Sequence, residues 1–121
     1  MAKKKHDFVY VDVYKALVYV SFDRKHFEKG LMDRFGVEHS VDFGNAGQCS
    51  MLIDDDGAVM FTIFADKDDF NLGTLVHECV HCAMFILGNR GVEIDADNHE
   101  ALTYLTQHLF EKCHEIYLRT K

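Results

Sequence analysis

The sequence predicts an α+β domain in which a small antiparallel sheet of three or four strands packs against about three helices. Three observations lead there. Segments rich in Val, Tyr and Phe crowd the first half of the chain, and helical periodicities fill the second. Between two apolar runs stands Asp54-Asp55-Asp56-Gly57, a strong hairpin signal. The chain of 121 residues is sized for one domain, 1–121, with residues 1–6 read as a flexible tail.

Residues 8–13 and 16–22 read as strands, either a tight hairpin or one long bent strand. Asp23 can cap a helix ending near Phe35, in which Phe27, Leu31 and Phe35 recur every four residues and Gly36 supplies the stop. Residues 37–47 read as loop. Within them, Gly44-Asn45-Ala46-Gly47 suits an ordinary loop or a lid. Residues 49–53 and 58–64 flank the acidic turn, whose spacing fails the calcium-loop pattern. After a polar connector at 66–69, Asp69 or Asn71 can cap a helix over 72–87 that is apolar on nearly every face and so reads as buried; Gly88 ends it. Asp95-Ala96-Asp97 opens a last helix to about residue 118, with a core stripe of Leu102, Leu105, Leu109, Cys113 and Ile116.

Composition narrows the function classes. Thirteen Lys and Arg against 20 Asp and Glu give a formal charge of −7, which argues against a nucleic-acid binder working through a broad basic surface. No apolar run is long enough for a membrane span. The Lys-rich start has no apolar core of a secretory signal. Four cysteines without such a signal read as free thiols in a reducing, cytoplasmic setting. Cys79 and Cys82 form a C-x-x-C, but inside a helix and with Cys79 turned about 200° from His77, so a redox or second zinc role is set aside.

The chemistry sits in His77-Glu78-Cys79-Val80-His81, which matches H-E-x-x-H. Residues four apart on a helix share a face, so two imidazoles can converge on one ion. Glu78, turned about 100° round the helix, can approach a metal-bound water without binding the metal. A chain of this composition matches the pattern by chance about 0.03 times. Two histidines and a glutamate in so apolar a helix are costly without partners. A third ligand must come from elsewhere: His99, Glu100 or His108 on the last helix, or His39.

Thr74-Leu75-Val76-His77-Glu78-Cys79-Val80-His81, followed by Asp97-Asn98-His99-Glu100-Ala101-Leu102-Thr103-Tyr104-Leu105, resembles small zinc metallopeptidases of the gluzincin type. It is most similar to the minimal predicted peptidases of bacteriophage and prophage genomes. The resemblance covers roughly residues 72–109. It implies a zincin-like fold, Zn2+ held by His77, His81 and Glu100, and Glu78 as the general base. Tyr104 stands where larger gluzincins carry an Asp, and the accessory domains of larger relatives are absent. A second resemblance, to SprT-like proteins, points to a His as third ligand, at His99 or His108.

The residues keep both options open. Asp97 and Glu100 have capping-box spacing, and Glu100 lies about 180° from the core stripe on an ideal wheel. Glu100, Tyr104 and His108 still share a polar face that can line a cleft. Tyr104 and His108 are therefore candidate electrophiles for an oxyanion. By analogy with the family, the strand from Ala58 to Phe64 is an edge that pairs with an extended peptide or protein substrate. The expected function is zinc-dependent peptide-bond hydrolysis. Two others stand beside it: a non-catalytic zinc-binding interaction protein that inhibits or adapts a host protein, and metal-assisted hydrolysis of another bond. A small peptidase has little room for a cleft, so a homodimer or partner is a further expectation.

Overall fold

The computed structural model describes residues 4–36 and 46–121. Its strands are β1 (His6–Val11), β2 (Ala16–Ser21), β3 (Gly47–Ile53) and β4 (Val59–Ala65). Its helices are α1 (Arg24–Phe35), α2 (Leu72–Asn89) and α3 (Glu100–Thr120). The class is α+β, as expected. The expectations for residues 37–45, including His39 and the first half of the suggested lid, lie outside the described residues.

Both hairpins form. β1 and β2 pair antiparallel from His6–Ser21 to Val11–Ala16, turning through a 3-10 segment and Lys15 at φ 51°. β3 and β4 pair antiparallel from Gly47–Ala65 to Ile53–Val59. The sheet as a whole is mixed, not antiparallel: its order is β1-β2-β4-β3, and β2 runs parallel to β4. A parallel pair needs a long crossover, and the chain between β2 and β4 holds α1 and β3. The strand over residues 58–64 is thus interior, and the edges are β1 and β3. Burial explains the choice. β4 is buried from Phe61 to Ala65, whereas β3 carries Gln48 and Ser50 and has no fully buried residue.

Helices cover both faces of the sheet. Val18, Val20, Phe61 and Ile63 face α2 and α3 in the larger core, with Leu75, Ile86 and Leu109. Tyr19 and Phe64 point the other way, against Phe27 and Leu31 of α1. Two buried faces account for the unbroken apolar runs of the central strands. Residues 5 and 6 do not belong to a tail, as residues 1–6 were read: His6 opens β1, and the Lys5 carbonyl accepts a hydrogen bond from Ser21 Oγ at 2.8 Å.

Caps set the helix limits. Asp23 accepts from the His26 amide, and Gly36 closes α1 in the left-handed conformation, as read. Asn71, of the two candidates, caps α2 by accepting from the Thr74 amide at 2.8 Å. Gly88 does not end α2; the chain turns at Gly91, at φ 76°. The last helix starts at Glu100, not at 95–97. Asp95 instead accepts from the Asp97 amide in a turn closed by the Asp95–Asn98 bridge. The capping box does not form, and no side chain caps the first turn of α3. No helix among the described residues is long and apolar enough to cross a membrane.

Candidate metal centre

Asn71 anchors the first turn of α2, and the motif follows in its second and third turns. One side of α2 packs on the sheet through Leu75, Cys79, Cys82 and Ile86. The other side is not buried as the sequence suggested. Leu72, Val76, Val80, Met84 and Phe85 stand exposed, with Val76 and Val80 each 40% accessible. His77 and His81 are exposed on this outer side. Helical spacing therefore places the two rings within an open apolar strip rather than in the core.

The two rings meet edge to face with centroids 4.7 Å apart, and His81 Nε2 lies 3.1 Å from His77 Nε2. Two nitrogens on one tetrahedral zinc, each about 2.0–2.1 Å from it, stand roughly 3.3 Å apart. The spacing fits two adjacent ligand positions on one ion. It equally suits a neutral ring donating to the other. Among the described residues no third His, Cys, Asp or Glu joins the pair in a group able to hold a metal. The side chains present thus fit part of a zinc shell.

Glu78 differs from its neighbours. It is only 7% accessible, the one buried acidic residue among the described residues. Burial pushes its carboxyl above the usual carboxylate range, partly countered by His77 and His81. Gly47, the first residue of β3, covers it. A methyl group there would stand 3.0 Å from Glu78 Cγ, 3.1 Å from Glu78 Oε2 and 2.9 Å from Thr74 Cγ2. Ala46, Gly47, Asn71, Gly73, Thr74, His77 and Glu78 line an open cleft of about 600 Å³.

Gly47 was read as part of an ordinary loop or a lid; its place at the start of β3, packed on Glu78, is what sequence reasoning missed. A glycine is needed there because the backbone approaches a side chain too closely for a Cβ. The only sequence signal was a glycine just before a strand.

The α3 candidates sit differently. Glu100 is the exposed first residue of α3, and His99 precedes it. Tyr104, 68% accessible, and His108 line a groove against Tyr10–Tyr14, while the cleft at Glu78 has neither in its walls. The structure thus brings His77, Glu78 and His81 together and leaves Glu100, Tyr104 and His108 on a separate helix face. Comparison with protein-family models, with curated proteins and with solved structures finds no match to this chain.

Proposed function

We propose that the protein is a zinc-dependent hydrolase acting on peptide bonds, with His77 and His81 as metal ligands and Glu78 as the general base. The observation that carries this reading is the convergence of the two Nε2 atoms beside a buried carboxylate with a raised pKa. A base poised nearer neutrality than an ordinary carboxylate suits proton transfer at working pH. Bound zinc would supply Lewis acidity, acidifying water and polarising a carbonyl. Glu78 Oε would take the proton from the attacking water and hand it to the leaving amine. Glu100 is the proposed third ligand, on the strength of the sequence resemblance. Tyr104 and His108 are proposed to bind the substrate's carbonyl side only if α3 approaches the cleft when substrate is bound. Among the described residues β3, which begins at Gly47 beside the cleft, is an outer strand of the sheet, and an extended peptide is proposed to pair with it.

A second reading is favoured by the exposed strip Leu72, Val76, Val80, Met84 and Phe85. An apolar helix face of this kind, on a chain of net charge −7, suits docking to another protein. In that reading the protein is a zinc-binding inhibitor or adaptor and Glu78 does no chemistry.

Zinc per chain, measured by elemental mass spectrometry, and cleavage of a peptide library separate the two. The peptidase reading expects about one zinc, lost in His77→Ala, His81→Ala and Glu100→Ala, and turnover abolished in Glu78→Gln with zinc kept. Zinc kept in Glu100→Ala reassigns the third ligand. Cleavage that survives Glu78→Gln overturns the mechanism. Zinc with no cleavage, and partner binding that Val80→Glu destroys, establishes the second reading.

A further inference from the structure

β1 is an outer strand of the sheet, and no strand pairs with its far side among the described residues. Antiparallel strands turn alternate residues toward a given neighbour. The Phe8 amide donates to Asp7 Oδ1 at 2.8 Å, so it points away from β2. Phe8 and Tyr10 therefore direct their backbone groups outward, and Val9 and Val11 direct theirs to β2. Arg119 Nη1 holds the Asp7 carboxylate at 2.9 Å, which closes the edge at its Phe8 end. Tyr10 carries the next pair of outward backbone groups.

A groove follows this edge between β1 and α3. Its wider part, about 350 Å³, has Tyr10, Val13, Tyr104 and Leu105 in its walls, and its narrower part, about 160 Å³, has Lys112, Glu115 and Arg119. Tyr10 and His108 line both parts. Tyr10 is 54% accessible, Tyr104 68% and Val13 85%. Exposed aromatic and aliphatic surface beside a bare strand edge invites association. The charged residues in the walls are two of each sign, Asp12 and Glu115 against Lys112 and Arg119. Two chains of net charge −7 can therefore meet at this face without like-charge repulsion across it.

We propose that this face joins two copies of the chain about a two-fold axis near Tyr10 and His108. The β1 strands pair antiparallel, and Tyr10 exchanges its N–H and C=O with Tyr10 of the second copy. The two sheets become one, and the Phe8 amide stays with Asp7. An interface of this symmetry must match itself. The axis turns each copy end for end, which carries Asp12 of one toward Arg119 of the other. Tyr104 and Lys112 stand four residues either side of His108, so Tyr104 of one copy meets Lys112 of the other. An ammonium group over an aromatic ring is a favourable contact, and the lysine stem covers apolar surface. A foreign peptide would answer the strand edge alone, whereas a second copy answers the edge, the aromatic surface and the charges. The proposal does not depend on zinc chemistry. In the dimer Tyr104 and His108 lie at the interface and not at the cleft.

Sedimentation of the purified wild-type chain over a range of concentrations tests this. The mass should rise reversibly from one chain to two and stop there. Tyr10→Lys, a change at an exposed position, should weaken association at least about tenfold with circular dichroism unchanged. Asp12→Lys, also at an exposed position, should weaken it too. Residues that exchange both hydrogen bonds across an antiparallel pair have Cα atoms about 5.5 Å apart, within reach of a disulfide. Tyr10→Cys should therefore give, on mild oxidation, a two-chain species cross-linked at residue 10 that wild type does not form. A one-chain mass up to about 1 mM, or masses that grow without limit, would overturn the proposal. So would a dimer that keeps its affinity in Tyr10→Lys, a dimer lost in Val80→Glu, which moves the contact to α2, or a Tyr10→Cys variant that does not cross-link between chains.

Discussion

A methyl group added to Gly47 would stand 3.1 Å from Glu78 Oε2, so the start of the edge strand lies directly on the buried carboxylate. The contact joins β3 to α2 at the one buried acidic side chain among the described residues. It makes Gly47 part of the site through its backbone alone.

Gly47→Ala should therefore displace Glu78 or Thr74. A Cβ at 2.9 Å from Thr74 Cγ2 and 3.0 Å from Glu78 Cγ cannot be accommodated without movement. Overpacking of this kind costs about 1–3 kcal/mol. Thermal denaturation should show a lower Tm. Zinc bound through His77 and His81 should be retained, while any turnover that depends on Glu78 should fall. An unchanged Tm would mean that the strand and helix are not in contact.

Glu78→Gln removes a carboxylate that the fold desolvates. Burial raises its pKa in the folded chain, so between the unfolded and folded values the native state holds more protons than the unfolded one. Stability contributed by the protonated form is present at low pH and is lost as pH rises through the folded pKa. Metal-stripped Glu78→Gln should melt higher than metal-stripped wild type at neutral pH, and the advantage should vanish below pH 4.5, the group's ordinary value. A lower Tm for the variant at neutral pH would contradict the desolvation of Glu78.

His6 and His26 form an acid-sensitive junction between β1 and α1. Arg34 Nη2 lies 3.0 Å from His6 Nε2, and His6 Nδ1 lies 2.8 Å from His26 Nε2. Arginine only donates, so His6 accepts at Nε2 and carries its proton on Nδ1, donating to His26. A second proton on either ring opposes a donor. Burial leads in lowering both pKa values; Arg34 and nearby lysines (Lys4 at His6, Lys5 and Lys29 at His26) add to it, with Asp7 and Asp23 opposing. The stability this junction gives is present above pH 6.5 and is lost as pH falls through the depressed folded values. His26→Gln keeps an acceptor and cannot titrate, so its Tm should fall less between pH 7 and pH 5 than that of wild type. Equal pH dependence would remove the junction from the account.

The hairpins, the cap at Asp23 and the stop at Gly36 were legible because each rests on neighbours in sequence. The parallel pairing of β2 with β4 was not, because it depends on which of two hairpin strands is apolar on both faces. The motif was readable as a spacing on a helix. Its surroundings were misjudged, since hydrophobicity all round α2 suggested burial whereas Val76, Val80 and Met84 face outward. Local spacing also favoured a capping box at Asp97 and Glu100, but Asp97 is drawn into a turn with Asp95. The close approach of Gly47 to Glu78 joins residues far apart in sequence, and a lone glycine carries no sign of its partner.

Tyr19 and Gly30 yield a prediction that needs no assumption about function. Tyr19 is fully buried between the sheet and α1, and its hydroxyl is one of the buried polar atoms with no hydrogen-bond partner in the described structure. The oxygen lies against the Gly30 backbone in the middle of α1, where an added Cβ would overlap it. An unsatisfied buried hydroxyl costs about 1–3 kcal/mol of desolvation, so Tyr19→Phe should leave stability unchanged or raise it. Gly30→Ala alone should destabilise, because the clash exceeds the roughly 1 kcal/mol that alanine gains over glycine within a helix. With the oxygen gone, the ring carbon that bore it still stands 3.1 Å from the new Cβ, a tight contact without overlap. The double variant should recover much of the loss. A double-mutant cycle in urea should show a favourable coupling of at least about 1 kcal/mol between the two substitutions. Additive effects would mean that the Tyr19 hydroxyl points elsewhere and that Gly30 owes its place to some other contact.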